Sequence, residues 1–164
     1  MIIVSNTSPI NYLILIGQIN LLPELFQQII IPQAVYTELS DKLAPPPVQA
    51  WIATPPSWLK IQTVSQTTDA MSTTGYAYAN LLDPGESEAI LLAQELNADL
   101  LILDDMKARR IAKDRGLVIT GILGVLDQAT TMKLINLPVT IQSLKNTSFW
   151  ASDSLFQKLL DKHS

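Results

Sequence analysis

Leu100-Leu101-Ile102-Leu103-Asp104-Asp105 is four aliphatic residues in succession, preceded by Asp99 and followed by two acids. Such an unbroken run, rather than an alternating one, reads as a strand buried on both faces, as in a parallel sheet held between helix layers. Three other runs have the same character. They are Ile2-Ile3-Val4-Ser5, Ile29-Ile30-Ile31 closed by Pro32, and Leu117-Val118-Ile119-Thr120 after a helix stop at Gly116. Between them the spacing predicts helices over about 9–16, 32–41, 84–96, 105–115 and 121–133. Strand and helix alternate, which gives the α/β class with a central parallel sheet.

At 164 residues with 48% hydrophobic content, the chain suits a single domain, 1–164, with a substantial core. The stretch 43–78 stands apart. It holds Pro45-Pro46-Pro47, Pro55-Pro56 and a Thr/Ser-rich run, and is expected to be an excursion over one end of the sheet, or a lid. Residues 60–64 within it suit an extra edge strand, and Trp51 and Trp58 suit anchors. The tail 134–164 reads as a helical C-terminal cap, with Leu155, Leu159 and Leu160 spaced for one apolar face.

Composition removes whole classes of chemistry. Cysteine is absent, and the one histidine is His163. Disulfides, thiolate metal sites and cysteine nucleophiles are excluded, and Ser-His-Asp triads and H-E-x-x-H zinc sites are strongly disfavoured. Chemistry at neutral pH falls to carboxylates, hydroxyls, lysines or a hard cation on oxygen ligands, which favours magnesium or manganese over zinc. No run approaches the roughly 18 apolar residues of a membrane span. The opening Met1-Ile2-Ile3-Val4 lacks a basic signal region, so a cytoplasmic protein with no membrane association is expected. A net charge of -4 argues against an extended sheath for nucleic acid, though not against a local basic patch.

In an open parallel sheet, ligands bind beyond the carboxyl ends of the strands. That edge collects Ser5-Asn6-Thr7-Ser8, Asp104-Asp105 and Thr120-Gly121, with Glu38 and Glu86 or Glu88 on helices able to rim it. Asp83-Pro84-Gly85-Glu86 is a helix start, and a capping box accounts for Glu86 on its own. Yet Glu86 shares a helix face with Ala89, Ile90 and Ala93, whereas Glu88 shares one with Leu92 and Glu95 and turns more toward solvent. A carboxylate on a packed face needs a cation to meet it, which makes Glu86 the better ligand candidate and Glu88 the second. One of Asp104 and Asp105 is accounted for as the N-cap of the next helix, leaving the other to bind metal. Glu38 alone reads as a solvated helix residue.

Ile3-Val4-Ser5-Asn6-Thr7-Ser8-Pro9-Ile10 and Ile31-Pro32-Gln33-Ala34-Val35-Tyr36-Thr37-Glu38 resemble the opening of a PIN domain. Leu82-Asp83-Pro84-Gly85-Glu86-Ser87-Glu88-Ala89-Ile90, Leu101-Ile102-Leu103-Asp104-Asp105 and Thr120-Gly121-Ile122-Leu123-Gly124-Val125-Leu126 continue the likeness through nearly the whole chain. It is nearest to the prokaryotic branch related to VapC toxins that opens on a (D/N)-(T/S)-(S/T)-P motif. The resemblance implies a three-layer α/β/α PIN-like fold and an endoribonuclease that uses Mg²⁺ or Mn²⁺, toxin-like and paired with an antitoxin protein. It implies RNA as substrate and a homodimeric state. The four acidic positions of that family fall on Asn6, Glu38, Glu86 and Asp104 as catalytic and metal-holding residues, with Glu88 and Asp105 as secondary candidates. Thr7 and Ser8 match its supporting hydroxyls, and Thr120 joins them at the same edge.

Asn6 stands where the family pattern has an aspartate. The set therefore carries three carboxylates, which lowers the expected cation affinity, and the alternative is a non-catalytic PIN-like module that binds RNA or protein. Five of the 11 basic residues lie between 107 and 115. Lys107, Arg109, Arg110 and Lys113 read as a solvated helix face by themselves, and as nucleic-acid contacts in the light of the resemblance.

Overall fold

The computed structural model describes residues 1–65 and 82–164. Five parallel strands, β1 (Ile3–Ser5), β2 (Ile29–Pro32), β3 (Leu59–Gln62), β4 (Leu100–Ile102) and β5 (Ile119–Thr120), lie in the order β3-β2-β1-β4-β5. The helices are α1 (Thr7–Leu15), α2 (Leu21–Phe26), α3 (Gln33–Leu39), α4 (Pro46–Ala53), α5 (Pro84–Glu95), α6 (Met106–Asp114), α7 (Ile122–Thr131), α8 (Leu137–Lys145) and α9 (Asp153–Lys162). The three-layer α/β expectation holds.

The unbroken aliphatic runs find their explanation in the two faces of the sheet. Ile3, Ile29, Ile31 and Ile102 point into a core shared with α1, α2, α3, α4, α7, α8 and α9. Their neighbours Val4, Ile30 and Leu101 point the other way, onto α5 and α6. These residues are apolar on both faces because each face is covered, and each such side chain contributes about 1.5–3 kcal/mol by leaving water. The acids around the Leu100 run divide by edge. Asp99 accepts a 2.6 Å hydrogen bond from Ile2 N at the amino end, and Asp104 and Asp105 leave the carboxyl end.

Several expectations change. Residues 43–65 are not a bare excursion, since α4 begins on the proline run itself. Pro45 is its N-cap and Pro46 and Pro47 open its first turn, where a missing N–H costs no intrahelical bond. The edge strand is Leu59–Gln62, fully paired to β2, and Trp51 and Trp58 pack with ring centroids 5.7 Å apart. The remainder of 43–78, from 66 on, lies outside the described residues. The Leu117 strand shortens to Ile119–Thr120 at the sheet edge, with Val118 exposed. The cap at 134–164 is helical, but on α9 the buried residues are Phe156 and Leu159, while Leu155 faces out. Helix α9 is tied to α7 by Asp127, which lies 2.7 Å from both Lys162 Nζ and His163 Nε2. The lone histidine therefore belongs to a helix–helix contact. Among the described residues, no helix is long and apolar enough to cross a membrane.

Candidate active site

The strand order places a topological switch point between β1 and β4. The chain winds outward from β1 through β2 and β3, then returns to lay β4 and β5 on the other side. Crossover helices diverge at such a point and open a crevice at the carboxyl ends of the two strands. Asn6 directly follows β1 and Asp104 lies two residues beyond β4, with Ser5 and Ile102 in register. The two residues therefore flank the crevice from opposite sides.

Both carry an orphaned oxygen. Asn6 is 4% exposed, and neither Asn6 Oδ1 nor Asp104 Oδ2 has a hydrogen-bond partner among the described residues. A buried acceptor without a donor is costly, on the order of 1–3 kcal/mol, and is rare enough to require a cause. The other Asp104 oxygen accepts a 3.0 Å bond from Ile122 N at the start of α7. Burial pushes the Asp104 carboxyl up from its ordinary value, against the downward pull of the Ile122 N–H and the Arg109 guanidinium.

Two more carboxylates come from the helices. Glu38, on the last turn of α3, accepts a 2.6 Å bond from the Thr7 hydroxyl. It lies so close to Gly85 that a Cβ there would overlap its carboxylate. Burial raises its pKa, the Thr7 bond opposes this, and Asp83 adds to the rise. Glu86 is 8% exposed and closes a full capping box, its own N–H bonded to Asp83 Oδ1 at 2.8 Å and its carboxylate accepting from Asp83 N at 3.2 Å. Burial, with Asp83, Asp105 and Glu38 as negative neighbours, drives the Glu86 carboxyl up to about 7. The capping box and the buried site carboxylate are thus the same residue.

The acid pair after β4 resolves cleanly. Asp105 caps α6, accepting from Ala108 N at 2.9 Å, and is exposed, whereas Asp104 is half-buried. Glu88 does not simply face solvent, since it reaches across to α3 and accepts from Ala34 N at 3.3 Å. That bond serves a helix start whose N-cap, Pro32, has no side-chain donor or acceptor to offer. Ser8 makes no side-chain hydrogen bond among the described residues. The Thr120 hydroxyl lies against Gly124, in a space that a Cβ would fill.

The donor set is all oxygen, as a hard cation requires, and the two orphaned oxygens fit such an occupant. Among the described residues, however, no three acidic or histidine side chains are gathered closely enough to cage one. The carboxylates are instead held by bonds of their own: Thr7 holds Glu38, Asp83 N holds Glu86, and Ile122 N holds one side of Asp104. The fourth member is an amide. An open cavity of about 490 Å³ between α7, α8 and α9, lined by Leu137, Leu160 and His163 among others, includes none of these residues.

The basic residues of α6 separate into two kinds. Lys107, Arg110 and Lys113 are exposed, whereas Arg109 is half-buried and donates through Nη1 to Leu103 O at 3.2 Å. A Cβ at Gly121 would overlap Asp104 Oδ1 and lie 2.7 Å from Arg109 Nη1. Neither glycine contact was legible in the sequence, although a glycine at a helix's first turn, as in Asp83-Pro84-Gly85-Glu86, is the kind of position where close approach is worth suspecting.

A PIN domain family model matches residues 2–164 of the chain. No curated protein and no solved structure matches it.

Proposed function

The chain belongs to the PIN domain family, a nuclease-type fold, and from that premise we propose that it is a divalent-metal-dependent endoribonuclease. The observation that carries the reading is the pair of orphaned buried oxygens, Asn6 Oδ1 and Asp104 Oδ2, on either side of the switch-point crevice. Asn6, Glu38, Glu86 and Asp104 would hold Mg²⁺ or Mn²⁺. Such an ion activates water and neutralises charge on a phosphodiester during in-line hydrolysis. Of the chain's own groups, the Thr7 hydroxyl orients Glu38 and the Asp83 N–H orients Glu86. The toxin-like role, with an antitoxin as protein partner, and the homodimer implied by the family resemblance belong to the same proposal.

The test is cleavage of single-stranded and structured RNA by purified protein in Mn²⁺. Activity should vanish in EDTA and fall at least about 100-fold in Asp104→Asn. Cleavage indifferent to both would sink the proposal.

A second reading has its own support. No three acids stand together among the described residues, and one family position is an amide. Both suit a PIN module that binds RNA or protein without cutting. Asn6→Asp separates the two. A large gain in Mn²⁺ affinity and cleavage marks a degenerate site, and no change marks a site that works with the amide.

A further inference from the structure

Arg109 is set apart from the other cations of α6 by what holds it. Its guanidinium reaches back from the helix to the Leu103 carbonyl, in the gap between the end of β4 and the start of α7. There it is close enough to Asp104 to pull on the carboxyl electrostatically. Yet it does not close onto the carboxylate, because Asp104 Oδ2 keeps no partner among the described residues. The ordinary fate of an arginine beside a half-buried aspartate is a bidentate ion pair. Here the strand-end carbonyl holds the cation off, and Gly121 leaves the space in which both groups sit.

A separated arrangement of this kind presents an acceptor and a donor fork side by side at one crevice. The acceptor suits a cation, and the donors suit an anion adjoining that cation. Guanidinium carries five N–H donors in a plane that matches phosphate oxygens, and only one of them is bonded to Leu103 O. We propose that Arg109 contacts the non-bridging oxygens of the scissile phosphodiester, as a catalytic residue. On this view Lys107, Arg110 and Lys113, exposed along the same helix, serve the flanking backbone. The inference rests on the nuclease reading above for the identity of its anion.

The division of labour has separable signatures. Exposed lysines and arginines set affinity and its salt dependence, so Arg110→Ala raises KM several-fold and leaves kcat within about twofold. A donor aimed at charge developing on the phosphate sets the rate, so Arg109→Ala lowers kcat by about 100-fold. Arg109→Lys keeps the charge but loses the fork, and retains less than about a tenth of kcat. Added guanidinium restores part of the Arg109→Ala activity where the same concentration of NaCl does not.

The deciding measurement needs neither metal nor turnover. In EDTA at low ionic strength, inorganic phosphate is titrated into ¹⁵N-labelled protein, and the Arg109 Nε–H resonance is followed, assigned by its loss in Arg109→Lys. A saturable shift of Arg109 larger than that of Arg110 supports the proposal. No shift, or an equal shift of both, overturns it. If wild type cleaves and Arg109→Ala loses no more kcat than Arg110→Ala, the Arg109 inference falls alone. If phosphate moves Arg109 but wild type cuts no RNA, the ribonuclease reading falls and the phosphate site stands.

Discussion

Gly85 is the residue at which site and stability can be pulled apart. It lies in the first turn of α5, where alanine is a better helix former by about 0.5–1 kcal/mol. The atoms a Cβ would strike belong to the end of the Glu38 side chain, which can swing away by rotamer change. Gly85→Ala should therefore melt at or slightly above the wild-type temperature. Its Mn²⁺ affinity, read by calorimetry, should fall at least about tenfold as Glu38 leaves Thr7. A variant that binds Mn²⁺ like wild type would remove Glu38 from the site. The same scale shows what sequence can and cannot carry. Glu86 was readable because its two signals are local: Asp83 lies three residues before it, and Ala89, Ile90 and Ala93 mark its buried face. Which of Asp104 and Asp105 caps the helix was not readable from the residues themselves, and only the family resemblance put Asp104 in the site. Asp105 has a partner three residues on, but Asp104 takes its partner from Ile122, eighteen residues away beyond a helix and a strand. Arg109 was named with Lys107, Arg110 and Lys113 but not set apart from them for a like reason, because its special neighbour, Gly121, comes from another element.

Among the elements, α3 shows how one helix can be started by another. Its N-cap is Pro32, which offers its first turn no side-chain acceptor, and Glu88 of α5 supplies one through Ala34 N. A carboxylate at a helix N-terminus also meets the positive end of the helix dipole. Because Glu38 lies four residues, about one turn, beyond Ala34, the same contact sets the position of a site carboxylate. Glu88→Ala should cost about 1 kcal/mol, or roughly 2–4 °C in melting temperature. Glu88→Gln keeps an acceptor oxygen and should recover most of that loss. Equal melting of Glu88→Ala and wild type would show that the cap carries no energy. Helical spacing turned Glu88 toward solvent because periodicity assigns faces within a helix and does not know which helix lies opposite. It succeeded for β1, β2 and β4, where burial on both faces leaves a signature in composition alone. It overran β5, an edge strand of which Ile119–Thr120 are paired, and it missed α4, whose opening prolines read as loop until their place in a first turn is known.

For the whole molecule, the buried carboxylates set a pH dependence opposite to that of most paired acids. Glu38, Glu86 and Asp104 all have raised pKa values in the folded protein, chiefly from burial. Between the ordinary carboxylate range and about 7, the value for Glu86, the folded chain binds more protons than the unfolded one. Stability then falls as pH rises through that window and levels off above it. Asp127 works the other way. The hydrogen bond from Lys162, and that with His163, hold its pKa below the ordinary value, so its contribution is lost only as pH falls below about 4. In EDTA the melting temperature should accordingly be several degrees higher at pH 5 than at pH 8, and Glu86→Gln should flatten the decline. Saturating Mn²⁺ at pH 8 should reverse it. Binding at about 100 times Kd adds about 2.7 kcal/mol, because the cation meets the charge that the metal-free crevice must hold unpaired. A melting temperature that climbs from pH 5 to pH 8 in EDTA would mean that these carboxylates are already compensated inside the protein. The crevice between β1 and β4 would then have no electrostatic demand for a cation to satisfy.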